Sequence, residues 1–161
     1  MLFKEVIGQE SLKQHLTEMA AHNRLSHAML FLGPEGCGAL NLSMAFAQYL
    51  LCEKVRASAT PSLFGDNEAK LPADSCGECA SCKKAAEMVH PDIHFSYPTI
   101  TSTKNSKPKS TDFLVDWRSF IKSEPYGNNF DWLQQIDAEN KQGNISKYEI
   151  DDAGFIPSNF A

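Results

Sequence analysis

The chain has 161 residues, of which 42% are hydrophobic and 22% charged, and its formal net charge is −5. This composition is that of a globular protein long enough to bury a core. It excludes a general nucleic-acid coat, and the lack of any run of about 18 apolar residues argues against a membrane span. The first residues lack the basic and apolar regions of a secretory signal, so we expect a cytoplasmic location, where cysteines stay reduced or bind metal.

The first fifty residues predict a helix, a strand and a second helix. Residues 9–22 carry apolar side chains at helical spacing. The apolar run 28–32 has the length and composition of a buried parallel strand. Apolar residues then recur at i, i+3, i+4, i+7 and i+8 from Leu42 to Leu50, which indicates an amphipathic helix.

The segment between that strand and helix has the form of a phosphate-binding loop without its chemical groups. The pattern of such a loop is G-x-x-x-x-G-K-[ST]. Gly33 and Gly38 hold the glycine positions with Gly36 between them, whereas Ala39 and Leu40 replace the lysine and the hydroxyl. Because phosphoryl transfer needs positioned positive charge, we expect no nucleotide and no catalytic residue here. The alternative is a glycine-rich turn that never held a nucleotide, and an anion could still rest on the loop amides.

Four of the five cysteines form a candidate metal site. Cys76, Cys79 and Cys82 make the pattern C-x-x-C-x-x-C, and Cys52 stands at the end of the preceding helix. Two thiolates separated by two residues can bind one metal from a tight turn. A fourth thiolate completes the tetrahedral set that suits Zn²⁺ in a closed structural site.

Several alternatives to this zinc site remain open from the residues alone. His90 and His94 compete with Cys52 for the fourth position, although a hydrogen-bonded surface histidine is the simpler interpretation. An iron–sulfur cluster uses similar spacing, but no Cys-Pro dipeptide follows. The cysteines could also be unmetallated thiols. Cys37, inside the glycine loop, has no base beside it and is interpreted as a small residue in a turn.

The remaining sequence alternates polar segments with short elements. An exposed insertion is predicted at 53–75, a short helix at about 81–89, a strand at 92–97 and a polar, mildly basic loop at 99–110. Thr111 or Asp112 is predicted to cap a helix that contains residues 113–121, and further helices are predicted at 131–139 and 144–152.

These motifs, in this order, resemble the AAA+ subunits of the bacterial DNA polymerase III clamp loader. The resemblance is carried by Ile7-Gly8-Gln9-Glu10, by residues 27–33, by the cysteine cluster and by His90-Pro91-Asp92. The last motif and the defective loop are more similar to delta-prime than to the gamma/tau ATPases. The family fold this implies is α/β: a P-loop AAA+ parallel sheet with helices on both faces and an inserted zinc module. Its zinc ligands would be Cys52, Cys76, Cys79 and Cys82, although the spacer after Cys52 is long for the family.

The resemblance also implies a function. The chain would be a non-catalytic stator that supports ATP-dependent loading of the sliding clamp onto primed DNA. Its partners would be the gamma/tau and delta subunits, with clamp and primer-template DNA reached through the complex. The alternatives are a gamma/tau-like ATPase and a zinc-bearing DNA-binding module.

The resemblance implies a domain organisation as well. Residues 1–152 would be a partial AAA+ N-terminal domain, with its zinc module at about 52–90, followed by an atypical tail at 153–161. The family's Walker B strand, lid and collar find no match, which implies an N-terminal fragment. Because missing strands would leave apolar sheet edges uncovered, we expect self-association or a need for a partner.

Overall fold

A computed structural model describes residues 1–59, 71–100 and 109–136. The chain divides into two compact units, Met1–Ile93 and His94–Ala161, and each is considered by itself. Among the helices of the described ranges, none combines the length and the apolar character that a membrane crossing requires.

The first unit is helical. It contains α1 (Glu10–Ala21), α2 (Ala39–Leu51), α3 (Glu53–Ala59) and α4 (Ala80–Ala86), after a 3₁₀ turn at Phe3–Glu5. Helix α2 is central and packs against α1, α3, α4 and the 3₁₀ turn. Its buried face includes Leu42, Phe46 and Tyr49, and the Phe3 ring lies 5.4 Å from that of Tyr49, measured between centroids. The apolar face that the sequence places on this helix is therefore the core of the unit.

Hydrogen bonds of Asp74 join the N-terminal segment to the residues just before the cysteine motif. The Asp74 carboxylate accepts hydrogen bonds from the backbone N–H groups of Phe3 (3.0 Å) and Lys4 (3.1 Å), and also from Ser75 N–H (2.7 Å). The buried Gln48 amide of α2 donates to the Ser75 hydroxyl at 3.1 Å. These contacts fix the polypeptide that leads into the cysteine motif against both the N-terminal segment and α2.

The second unit is built around aromatic side chains. After a 3₁₀ turn at Ser110–Phe113 it contains α5 (Leu114–Ser123) and α6 (Asn129–Gln135). Tyr97 stacks on Trp117 with ring centroids 4.2 Å apart and 12° between planes, and Trp132 meets Trp117 edge-on at 5.1 Å. The Trp132 indole donates to the Pro98 carbonyl at 2.8 Å, so its polar edge is satisfied inside this cluster.

The two predicted strands are not formed within the described ranges, where no β-strand is present. Residues 28–32 form no regular secondary structure, and Leu30 is 84% exposed and Leu32 86%, which a buried parallel strand would not allow. Residues 92–97 instead end at Tyr97, whose ring stacks on Trp117. A strand requires a neighbour to satisfy its backbone, and neither segment finds one in the parts of the chain described. The predicted α/β sheet is thus wrong for these two segments.

The predicted helices fare better than the predicted strands. Helices at 9–22 and 42–50 are confirmed as α1 and α2, and the helix at 113–121 as α5. The helix predicted at 81–89 ends earlier, at Ala86, and the one predicted at 131–139 begins earlier, at Asn129. Part of the predicted insertion is helical: α3 begins at Glu53, directly after Cys52, whose extended conformation ends α2. Residues 60–70, 101–108 and 137–161, including the predicted helix at 144–152 and the tail at 153–161, lie outside the described residues.

The capping of α5 also differs from the prediction. The residue that precedes the helix is Phe113, not Thr111 or Asp112. Asp112 instead accepts a hydrogen bond from the backbone N–H of Lys109 at 3.0 Å. The Asp112 side chain therefore stabilises the start of the 3₁₀ turn Ser110–Phe113, and α5 begins only after that turn.

Candidate metal centre

Four cysteine sulfurs meet where three segments of the first unit converge. Cys52 follows the last residue of α2, Cys76 lies in the loop after Asp74, Cys79 caps α4 and Cys82 lies in its first turn. All four sulfurs lie within 4.8 Å of one another. The Cys76 and Cys82 sulfurs are 3.9 Å apart. Sulfurs at about 2.3 Å from one tetrahedral metal are separated by about 3.8 Å, so this spacing suits a shared ion.

Backbone N–H groups point at these sulfurs. Cys79 N–H donates to the Cys76 sulfur and Cys82 N–H to the Cys79 sulfur, each at 3.4 Å. Cys76 N–H donates to the Cys52 sulfur at 3.3 Å. Gly77, with φ of +72°, takes the left-handed conformation that closes the turn between Cys76 and Cys79. Such hydrogen bonds stabilise sulfur in its anionic form, which is the form that binds metal.

The thiols have opposite ionisation preferences. Backbone N–H groups of Cys79 and Glu78 lower the pKa of Cys76 to about 6, so this thiol ionises readily. Burial, followed by the neighbouring Cys79 side chain, raises the pKa of Cys82 well above its usual range. Cys52 and Cys82 are almost fully enclosed, at 0% and 1% exposure. Several thiolates cannot gather in such an enclosure without a cation to balance them, so the four cysteines could hold a metal ion.

The competing histidine ligands are placed elsewhere. His90 contacts the Ser81 hydroxyl through Nε2 (2.9 Å), while its Nδ1 accepts a hydrogen bond from Asp92 N–H (3.1 Å). Both ring nitrogens are therefore engaged away from the sulfurs. His94 is exposed and belongs to the second unit. Within the first unit the structure thus brings Cys52, and not His90, to the other three cysteines.

The glycine loop forms a tight turn ahead of α2. Cys37 N–H donates to the Pro34 carbonyl at 3.1 Å, and Gly36 and Gly38 have φ values of +75° and +80°. A side chain at Gly33 would collide with the Cys37 sulfur. Helix α2 begins directly at Ala39, so its first two side chains are a methyl and an isobutyl group. The loop is thus a tight turn whose following helix begins with neither a lysine nor a hydroxyl side chain.

A cavity of about 290 Å³ lies beside this loop and is lined by residues of α1 and of segment 29–32. Its wall is mostly apolar and includes Leu12, Leu16, Met29 and Leu42. Gln9 and His15 are its polar side chains, and no lysine, arginine or carboxylate among the described residues lines it. The cavity therefore offers no fixed positive charge to a phosphate group.

The motif analysis does not identify two sets of hydrogen bonds near the cysteines, those of Asp74 and the one between Ser81 and His90. Asp74, two residues before Cys76, has a local signal, because Asp-Ser sequences favour turns in which the carboxylate binds nearby N–H groups. The contact between Ser81 and His90 has no such signal, since it joins residues nine positions apart across a chain reversal.

The sequence of the chain is similar to subunits of DNA polymerase III. A family model described as "DNA polymerase III, delta subunit" matches residues 8–133. The chain is similar to DNA polymerase III subunit delta' of Pseudomonas aeruginosa, with 30% identity over 70% of this chain and 28% of that protein. It is 36% identical to subunit tau/gamma of Haemophilus influenzae over 71% of this chain and 14% of that protein. Similarity to subunit tau of Bacillus subtilis covers 50% of this chain and 12% of that protein, at 33% identity.

The matched region is a small part of each relative. The chain spans less than a third of the length of these three relatives, at 28%, 14% and 12%. No solved structure matches the chain.

Proposed function

The chain belongs to the family of DNA polymerase III delta subunits, and from that premise we propose that it acts as a non-catalytic clamp-loader subunit of the delta-prime type. The observation that carries the proposal is the family match over residues 8–133. The matched region includes the glycine loop, which is followed by Ala39 and Leu40. Phosphoryl transfer depends on a positioned cation and metal-binding hydroxyl, and these two side chains supply neither. The chain would support clamp loading by its neighbours and hydrolyse no ATP itself.

A structural zinc ion is the second part of the proposal. The ligands would be Cys52, Cys76, Cys79 and Cys82, whose sulfurs lie within 4.8 Å of one another. Four thiolates leave no open position for water, so the zinc would cross-link α2 to α4 and perform no hydrolysis. The buried Cys52 and Cys82 and the N–H donors aimed at the sulfurs support this assignment.

The partners follow from family membership. We place the chain beside gamma/tau and delta subunits in the cytoplasm, with sliding clamp and primer-template DNA reached through the assembled complex. The domain we propose is a partial AAA+ N-terminal domain over residues 1–152, with its zinc module at about 52–90 and an atypical tail at 153–161.

Zinc content and nucleotide binding, measured on the same reduced sample, test the proposal. We expect about one zinc per chain and no saturable binding of Mg-ATP. A double variant, Ala39→Lys with Leu40→Thr, restores the lysine and hydroxyl and serves as the matched comparison. Tight Mg-ATP binding by the wild-type chain would favour the second candidate, a gamma/tau-like ATPase, to which the similarity with subunit tau/gamma of Haemophilus influenzae points. Absence of metal would remove the zinc module from the proposal.

A further inference from the structure

A chain reversal after α4 returns His90 to the start of that helix. Helix α4 ends in a turn in which Val89 N–H donates to the Lys84 carbonyl (2.9 Å) and Met88 N–H to the Ala85 carbonyl (3.0 Å). Met88 has φ of +54°, the left-handed conformation that closes such a helix end, and its side chain is buried. The reversal is therefore anchored by backbone hydrogen bonds and by a buried methionine.

A second turn fixes the ring of His90. Ile93 N–H donates to the His90 carbonyl at 3.1 Å, with Pro91 and Asp92 at the centre of the turn. Asp92 N–H also donates to His90 Nδ1 at 3.1 Å. The His90 side chain is only 9% exposed. Histidine is thus held in one orientation, with Nε2 directed at the Ser81 hydroxyl 2.9 Å away.

The arrangement of Ser81, His90 and Asp92 is not a nucleophilic triad. In such a triad the aspartate carboxylate accepts the Nδ1 proton, which leaves Nε2 free to act as a base. Here Nδ1 accepts a hydrogen bond from a backbone N–H, and the Asp92 carboxylate lies 4.0 Å away. The neutral ring therefore carries its proton on Nε2 and donates it to Ser81, so it cannot take a proton from that hydroxyl.

Ser81 lies between two cysteines of the metal centre. Cys79 caps α4, Ser81 follows in its first turn, and Cys82 N–H donates to the Cys79 sulfur. Ser81 N–H is also 3.4 Å from the carboxylate of Glu53, the residue directly after Cys52. Because α4 has only seven residues, its own hydrogen bonds hold its first turn weakly. The hydrogen bonds of Ser81 with Glu53 and His90 therefore help to hold the turn that positions the Cys79 and Cys82 sulfurs.

We propose that His90 is a positioning residue for the metal centre, acting through Ser81 to hold the Cys79-x-x-Cys82 turn at metal-binding spacing. We call the Ser81–His90 hydrogen bond the His90 clamp. This inference rests on the proposed zinc centre, to which it adds a residue that is not a ligand. Residues behind the ligands of a metal site orient those ligands and raise affinity for the ion.

The test compares zinc affinity, by chelator competition, across six variants of the full chain. His90→Ala and Ser81→Ala remove the clamp and are expected to weaken zinc binding about tenfold. His90→Gln keeps an N–H donor and Ser81→Thr keeps the hydroxyl, so both are expected to restore most of the affinity. His22→Ala and Ser43→Ala are matched controls, because those side chains bind only nearby helix carbonyls.

A second measurement separates failure of the clamp from failure of the zinc centre. Amide exchange of Cys82 N–H in the metal-free protein reports directly on the turn, and we expect it to speed up in His90→Ala. Wild-type zinc affinity in both alanine variants, or equal losses in the alanine and the conservative variants, would overturn the clamp while the zinc centre stands. A wild-type chain that binds no zinc would overturn the zinc centre. In that case faster exchange of Cys82 N–H in His90→Ala would still support the His90 clamp. Unchanged exchange would overturn the clamp.

Discussion

At the scale of single residues, the cysteines divide into four that share a site and one that does not. Cys52 is fully buried beside the other three sulfurs, whereas Cys37 lies in the glycine loop. We expect Cys52→Ser to lower zinc content from about one per chain to a small fraction, since a structural site depends on all four ligands. Elemental analysis measures the content, and thermal melting should show lower stability in the same variant.

Cys37→Ser is the matched control for that experiment. It removes one thiol from the same unit without touching the cluster, so its zinc content is expected to equal that of the wild-type chain. If Cys37→Ser lost zinc and Cys52→Ser retained it, the assignment of the fourth ligand would be wrong.

A buried phenol gives the chain an alkaline stability limit. Burial, followed by the charges of Asp74 and Cys52, raises the pKa of Tyr49 from 10.0 to about 12. The folded state therefore holds the phenol proton more tightly than the unfolded state does. The resulting stabilisation is complete below pH 10 and is lost as pH rises from 10 towards 12, where the unfolded chain ionises first.

The variant Tyr49→Phe tests that origin. It removes the hydrogen bond from the Tyr49 hydroxyl to the Pro72 carbonyl (2.7 Å), so we expect a loss of about 1 kcal/mol at neutral pH. Between pH 10 and 12 its unfolding free energy should fall less steeply than that of the wild type. Urea unfolding across this pH range measures both slopes. A wild-type slope in Tyr49→Phe would show that this phenol does not cause the alkaline loss of stability.

The residues of the candidate site were predictable to different degrees. The set of four cysteines follows from spacing, because C-x-x-C turns bind metal locally and Cys52 ends a helix that the apolar pattern already defines. The contact of His90 with Ser81 was not predictable. The chain reversal that brings the two together includes Met88 in a left-handed conformation, which sequence patterns associate with glycine or asparagine and not with methionine.

At the scale of secondary-structure elements, α6 depends on a reciprocal cap. The Asn128 side chain accepts from Phe130 N–H (2.8 Å) and Asp131 N–H (3.1 Å), and Asp131 accepts from Asn128 N–H (2.8 Å). Helix α6 has only seven residues and carries Trp132, which is 1% exposed. Loss of the cap therefore affects the aromatic cluster of the whole second unit.

We expect Asn128→Ala to destabilise the second unit by about 1 kcal/mol, the usual cost of losing such a cap. Both tryptophans of the chain lie in this unit, so tryptophan fluorescence during urea unfolding reports on it directly. Asn129→Ala is the matched control, because Asn129 is the exposed first residue of α6 and no side-chain cap. Equal effects of the two substitutions would show that the cap contributes nothing.

Helices were predictable from the sequence where strands were not, and the reason is physical. The hydrogen bonds of α1, α2 and α5 close within each segment, so apolar periodicity suffices to locate them. Segment 28–32 has an apolar composition suited to a strand, but a strand exists only where a second segment pairs with it. That pairing is a property of distant sequence, and local pattern cannot supply it.

At the scale of the whole molecule, the segment 28–32 presents an apolar edge. Leu30 and Leu32 are both more than four-fifths exposed. Phe31, between them, is half-buried against the core of the first unit. Within the described ranges no strand pairs with this edge, and unpaired apolar edges promote association between chains.

We therefore expect the chain to self-associate, with an apparent mass in light scattering that rises with protein concentration. The double variant Leu30→Lys with Leu32→Lys places two charges on the edge and should shift the mass towards that of the monomer, because like charges oppose edge-to-edge pairing. Val115→Lys with Phe130→Lys adds the same charge at exposed apolar positions of the second unit and should leave association unchanged. If both double variants reduced association equally, net charge and not the edge would be responsible. A wild-type chain that stays monomeric at every concentration would show that this edge does not pair between chains.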